Sequence, residues 1–193
     1  TSIALHPYYA SGWDRDEVYP WLGFETSLFR GNFTNKKIIR SYISDETTYD
    51  KIISLYENHS SEGPLFFFDV TMQNHGGYTK IYDNFPIQVT IEEETATEAA
   101  ENYLSLVLES DQAFKELIDY FSQAEEDTII LMFGDHQPSD YVANTVTALT
   151  GKSTEEMTLA QQQNRNIVPF VIWANFDMEN AGKKYERLSA NYL

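Results

Sequence analysis

Three short segments hold the residue types that bind or transfer charged groups. In Phe133-Gly134-Asp135-His136-Gln137-Pro138 a carboxylate and an imidazole are adjacent, and both are good ligands for divalent cations. Gly134 and Pro138 favour a turn that aims both side chains at one ion. The same residues also read as a helix cap followed by a surface His, and the motif alone does not decide between the two. In the stretch Thr71-Met72-Gln73-Asn74-His75-Gly76-Gly77-Tyr78, the Gly pair permits close ligand approach. His75 is suited to donate to a phosphoryl or sulfuryl oxygen, or to act as an acid or base. From its own residues, though, this stretch is an ordinary loop with one His. In the stretch from His6 to Arg15, Arg15 offers a planar, permanently charged fork suited to phosphate. Trp13 adds a flat face for glycerol carbons, and His6 ends a strand. The competing reading is an Arg paired with Asp14 or Asp16 on a solvated helix, beside a core Trp. His59 lies at a helix end and is assigned no role. Glu92-Glu93-Glu94 reads as a solvated loop or the approach to a helix.

The elements that must position these groups follow from hydrophobic period. Residues 3–5 read as a strand running into His6. Asp14 to Leu22 reads as a short helix stopped by Gly23, and Thr47 to Asn58 as a helix capped by Ser44 or Asp45. Residues 24–40 read as irregular with short strands. Residues 64–71 and 128–134 are continuous apolar runs, which predict strands buried on both faces. Between them, residues 97–123 carry an apolar stripe at three-and-four spacing, the mark of a long helix; Asp111 falls on that stripe and needs a partner. Further helices are expected around 141–149 and 154–163, and a third apolar strand over 168–174. Strand, long helix, strand predicts a βαβ unit with parallel strands. The fold class is α/β, a mainly parallel sheet flanked by helices. Ligands bind such sheets at the carboxyl ends of strands. His75 and the Asp135-His136 pair are therefore expected on one edge, which favours the metal reading of that pair.

Composition narrows the partners. The 193 residues fit one domain, and a net charge of −17 excludes a nucleic-acid surface, which needs clustered Lys and Arg. The same charge disfavours long-range steering of an anion, so any bound anion must be held locally. With no Cys, disulfides, thiolate metal sites and Cys nucleophiles are ruled out. No apolar run approaches membrane-spanning length, and residues 1–193 are expected to be soluble. Twelve Phe, thirteen Tyr and three Trp supply the core, with some left to line a sugar or headgroup cleft.

Taken together, the ordered motifs resemble the extracellular catalytic domain of lipoteichoic acid synthases and related bacterial phosphoglycerol transferases, in the sulfatase branch of the alkaline phosphatase superfamily. The resemblance spans nearly all of residues 1–193, and implies an alkaline phosphatase-like sheet that is incomplete here. It implies that His6, Trp13 and Arg15 contact glycerol phosphate, that His75 is a substrate-binding or acid/base His, and that Asp135 and His136 bind a divalent metal, Mn²⁺ or Mg²⁺. Val168–Ala174 and Leu188–Asn191 look like that family's later sheet region. In the family an upstream Thr is the nucleophile and, with an upstream Glu, completes the metal shell; the matching region would precede Thr1. Residues 1–193 are therefore expected to be a partial catalytic domain, inactive alone. The implied parent acts at the outer face of a bacterial membrane, held there by N-terminal helices outside this chain. It takes phosphoglycerol from a phosphatidylglycerol-type lipid to a glycerol or glycan acceptor. A sulfatase, phosphodiesterase or phosphoethanolamine transferase on the same scaffold is the alternative enzyme, although Trp13-Asp14-Arg15 favours phosphoglycerol over sulfate. A non-catalytic domain that binds glycans or partner proteins is the alternative outside enzymes.

Overall fold

A computed structural model describes residues 1–59, 63–94, 96–179, 181–184 and 189. The chain forms two compact units, the first made of Thr1–Glu92 and Ala96–Leu117, the second of Glu93–Thr95 and Ile118–Leu193.

The first unit is organised by β1 (Ser2–His6), flanked by β2 (Thr26–Phe29) and β5 (Phe66–Asp69) in the order β2-β1-β5. Both pairings are parallel, with His6 opposite Phe29 and Leu5 opposite Asp69. Ala4, Leu5 and His6 have no exposed surface, as a central strand covered on both faces requires. Three helices serve this unit. α1 (Arg15–Trp21) follows β1 and stops before Gly23, whose φ of 91° suits a residue without Cβ. α2 (Asp45–Glu57) is capped by Ser44, which accepts from the Thr47 amide. α3 (Glu98–Phe121) is the long helix expected from the sequence, but its buried face is shifted: it buries Ala99, Leu106 and Ala113 together with Ala100, Leu117 and Phe121 of the expected stripe, while Val107 of that stripe is exposed. Asp111 is exposed, so it needs no partner in the core. Between β2 and α2 lies a small hairpin, β3 (Ile38–Ile39) with β4 (Tyr42–Ile43).

The long connection between β5 and α3 has no long strand or helix, so its backbone must be satisfied by side chains. The polar edge of α3 does this. Asn102 donates to the Tyr78 carbonyl at 2.8 Å, and the Ser105 hydroxyl accepts from both Gln88 and Val89 amides. Glu101 accepts from the Ile91 amide. The segment that carries His75 is thereby fastened to a rigid helix.

In the second unit, β6 (Ile129–Phe133) pairs with β7 (Phe170–Ala174), and the ladder is antiparallel. This corrects two expectations. β6 does not join β5 in a parallel ladder, and its residues alternate in exposure rather than being covered on both faces: Ile129 is 60 % exposed. An unbroken apolar run reads the same whether one face or two are covered, and a nearby strand is entropically the cheaper partner. α4 (Asp140–Ala148) and α5 (Leu159–Asn164) complete the unit, the latter capped by Thr158. Gly134 is required where the chain leaves β6, because a Cβ there would lie 3.1 Å from the Val168 side chain. Asn175 locks the base of the hairpin by donating to Phe121, Ala124 and Glu126 carbonyls and accepting from the Thr128 amide. The expected strand-region resemblance at Leu188–Asn191 lies outside the described residues except for Ser189.

Two carboxylates are sealed inside the first unit. Asp45 accepts from Ser110 at 2.5 Å through one oxygen; its other oxygen, and both of Asp69, find no hydrogen-bond partner among the described residues. Burial raises the Asp45 carboxyl to about 6, and burial followed by repulsion from Asp45 raises Asp69 well above the usual range. The folded state binds more protons than the unfolded one between the ordinary carboxylate value and these raised ones, so this pair costs stability as pH rises through that window. Asp69→Asn should therefore raise the unfolding temperature by roughly 2–4 °C at pH 8 and give no gain at pH 4. Calorimetry at the two pH values checks this, and equal shifts at both would refute it.

Candidate functional site

The end of β1 delivers His6 into the interior, where its ring has no exposed surface. Its Nδ1 lies 2.8 Å from the Val70 carbonyl oxygen, one residue past β5. A carbonyl only accepts, so Nδ1 carries the hydrogen and the neutral ring presents Nε2 as an acceptor. Nε2 has no partner among the described residues. Burial, helped by the nearby Arg15 charge and opposed by the Val70 hydrogen bond, brings the imidazole down to about 4. His6 is thus uncharged near neutral pH, and cannot offset charge on a phosphoryl group. It can accept a hydrogen bond from a hydroxyl.

Beyond Pro7 the chain turns sharply. Trp13 and Asp14 both sit in the left-handed region, at φ 56° and 52°. A bulky aromatic there is a true outlier and costs on the order of 1–3 kcal/mol, which the surrounding contacts must hold in place. The turn exposes Trp13, 57 % of its surface being accessible, and sets its ring edge-on to His6 at 5.7 Å and to His75 at 5.9 Å. Trp13 is therefore not a core residue. α1 then begins with Arg15, whose guanidinium packs 5.2 Å from the Trp13 ring centre and donates to the Tyr19 hydroxyl at 2.6 Å. No ion pair between Arg15 and Asp14 or Asp16 exists among the described residues, against the solvated-helix reading. The Arg15 charge therefore has no carboxylate partner among the described residues.

His75 completes the cluster. It is exposed, with its Nδ1 3.2 Å from the Tyr42 hydroxyl. Tyr8 fills the centre, with ring centroids 6.0 Å from His6, 6.1 Å from Trp13 and 6.0 Å from Tyr42. His6, Trp13, Arg15 and His75 thus gather on the first unit, although 69 residues separate His6 from His75. Tyr8 and Tyr42 belong to the same cluster and were not singled out from the sequence. Tyr8 offered no periodic signal, because the strand ends at His6 and the Tyr8 amide turns back to donate to the His6 carbonyl at 2.7 Å. Tyr42 offered none, because the hairpin that carries it is only two residues long per strand.

Asp135 and His136 lie together on the second unit, just past β6. Their side chains are 79 % and 74 % exposed, and His136 Nε2 is 3.5 Å from Asp135 Oδ2. His136 Nδ1 lies 2.7 Å from the Gln137 carbonyl, which fixes the hydrogen on Nδ1 and turns the Nε2 lone pair towards the carboxylate. An imidazole lone pair and a carboxylate oxygen facing one point, with the imidazole held from behind by a carbonyl, fit the donor set of a divalent cation. Among the described residues no group of three or more His, Cys, Asp or Glu side chains could hold an ion, so these two donors stand as a pair.

The sulfatase family model matches residues 1–193. A protein of Rhizobium meliloti named "Putative cyclic beta-1,2-glucan modification protein" is 31% identical over 181 residues, which cover 90% of this chain and 28% of that protein. Lipoteichoic acid synthase 1 of Bacillus subtilis is 22% identical, over 89% of this chain and 26% of that protein. The chain thus spans under a third of these relatives. Among solved structures, the Streptococcus pyogenes phosphoglycerol transferase GacH in complex with sn-glycerol-1-phosphate superposes with a TM-score of 0.69 at 24% identity, covering 90% of this chain and 43% of that one. The lipoteichoic acid synthase LtaP of Listeria monocytogenes gives 0.67 at 18%, covering 89% and 42%. These likenesses show that the chain shares the fold of those two structures.

In an NMR titration the His6 imidazole should stay neutral, with the hydrogen on Nδ1, until the pH falls to about 4. A folded-state midpoint near the ordinary value of 6.5 would contradict the buried acceptor.

Proposed function

Because the chain belongs to the sulfatase family, we propose that it is part of a metal-dependent phosphoglycerol transferase that moves phosphoglycerol from a phosphatidylglycerol-type lipid headgroup to a hydroxyl of a cell-envelope polymer or glycan. The observation that carries this reading is the cluster of His6, Trp13, Arg15 and His75, with an Arg that no carboxylate neutralises.

Each residue has a role suited to its surroundings. The Arg15 guanidinium takes the anionic oxygens, held flat by the Trp13 face on one side and the Tyr19 hydroxyl on the other. Trp13 covers the glycerol carbons. His6 is neutral, with an unpartnered Nε2 that would accept from a glycerol hydroxyl once the rings covering it part, since the atom is buried. This favours phosphoglycerol over sulfate, which brings no hydroxyl. His75 donates to a phosphoryl oxygen or passes a proton to a leaving or entering oxygen. Asp135 and His136 would hold a divalent ion, Mn²⁺ or Mg²⁺, which when bound offsets phosphoryl charge and activates a hydroxyl. The name of the Rhizobium meliloti relative, a glucan modification protein, favours a glycan acceptor over a growing glycerol phosphate chain. In this reading the parent works at the outer face of a bacterial membrane. None of the described helices is long and apolar enough to cross a membrane.

Two experiments test the reading. sn-Glycerol 1-phosphate should bind, and Arg15→Ala should weaken binding roughly 10- to 100-fold, the loss of a charge-assisted hydrogen-bonded pair. Absence of binding at millimolar concentration, or equal affinity in the variant, would remove the assignment. Residues 1–193 alone should bind Mn²⁺ weakly and turn over no glycerophosphodiester, since two donors leave a coordination shell unfilled. A saturating, stoichiometric Mn²⁺ titration in calorimetry, or measurable turnover, would show that the chain holds a complete centre.

A further inference from the structure

The hairpin between β3 and β4 is built around an unusual residue. Arg40 is 5 % exposed and sits at φ 56°, in the left-handed region where an Arg is seldom found. A buried guanidinium is costly unless its hydrogens are used. Here one nitrogen donates to two carbonyls, Gln73 at 2.8 Å and His75 at 2.6 Å, which bracket the residue before the candidate His and the His itself. The guanidinium also lies 5.6 Å from the Tyr42 ring centre and 5.5 Å from that of Tyr78. Asn84 holds the turn from outside by donating to the Ile38 and Arg40 carbonyls. Two residues on from Arg40, the Tyr42 hydroxyl meets His75 Nδ1.

The other side of the same loop is pinned as well. Gln73 and Asn74 both donate to the Ser110 hydroxyl on α3, at 3.0 and 2.8 Å, and the Gln73 side-chain oxygen accepts from the Asp45 amide at the start of α2. Tyr78 donates to the Asn74 carbonyl. Residues 73–75 are thus held by α2, α3 and the hairpin; Trp13 packs edge-on against the His75 ring, and among the described residues the hairpin supplies the hydrogen bond to that ring.

Resting on the reading of His75 as the residue that meets the phosphoryl group, we infer that the β3–β4 hairpin is its positioning device: Arg40 fixes the backbone at His75, and Tyr42 fixes the ring. Burial, with repulsion from Tyr8 and Tyr82, favours the protonated Tyr42 phenol. Nδ1 is the one hydrogen-bond partner this hydroxyl has among the described residues, and we take the phenol as the donor. A neutral imidazole that accepts at Nδ1 carries its hydrogen on Nε2, which leaves Nε2–H as the donor to a phosphoryl oxygen. Neither Arg40 nor Tyr42 need touch the ligand; both act through His75.

The test is a double-mutant cycle on sn-glycerol 1-phosphate binding, with the ¹⁵N shift of His75 Nδ1 as an independent readout. Arg40→Met removes the nitrogen that donates to both carbonyls, and Tyr42→Phe loses the hydrogen bond to the His75 ring while keeping its aromatic body. Each should weaken binding about 5- to 10-fold in the wild-type background. Each should have no further effect once His75 is replaced by Ala, because the residues act through it. In Tyr42→Phe the Nδ1 resonance should move away from its hydrogen-bonded position, with the unfolding temperature within a few degrees of wild type. Equal losses in both backgrounds, or an Nδ1 shift unchanged in Tyr42→Phe, would overturn the inference. If the wild-type protein fails to bind sn-glycerol 1-phosphate, it is the functional reading that falls; the Nδ1 shift then decides the hairpin's role by itself.

Discussion

The hydrogen bond between His6 Nδ1 and the Val70 carbonyl is the joint on which the candidate site depends. It spans 64 residues and closes the carboxyl ends of β1 and β5, next to a backbone bond from the Val70 amide to the Leu5 carbonyl. Both motifs of the candidate site leave from this joint: the Trp13-Arg15 segment from β1, and the His75 loop from β5. The parallel pairing of β1 and β5 puts their ends at the same edge, and the buried imidazole sets the distance between the two loops. A single interaction thereby serves the sheet, the aromatic cluster and the protonation state of the residue that makes it.

Electrostatics bear on how so acidic a chain could hold the anion of the proposed function. With a net charge of −17, its long-range field repels phosphate. The local arrangement works against that field. Arg15 packs on Trp13 and donates to a phenol rather than to a carboxylate, so its charge is oriented without being neutralised. Of the two buried acids, Asp69 lies close enough to act on the same Tyr19 phenol, and burial raises its carboxyl well above the usual range, which lowers the negative charge it adds there.

Much of this was legible in the sequence, and the exceptions have physical causes. α3 was readable from its stripe, and α2 from Ser44 ahead of an acidic first turn, because both signals are local. Trp13, Arg15 and His75 were readable as an ordered set of motifs, and the fold brings them within about one ring contact of each other. The pairing of β6 with β7 was not, since an apolar run carries no label for its partner's direction. Nor was Arg40, because a cation buried beneath two carbonyls looks in sequence like any loop Arg. The neutral state of His6 depended on a carbonyl 64 residues away and on complete burial, neither of which spacing reveals.

The left-handed pair Trp13-Asp14 has a consequence for how such a domain changes over time. Glycine at either position would relax the backbone, so each substitution in isolation gives a sturdier molecule. Trp13→Gly would also erase the flat surface against which Arg15 lies. Under the proposed function, a descendant with no anion to grip is free to accumulate glycine in this turn, and a Trp-Asp pair kept there at its conformational expense marks a lineage that still binds one.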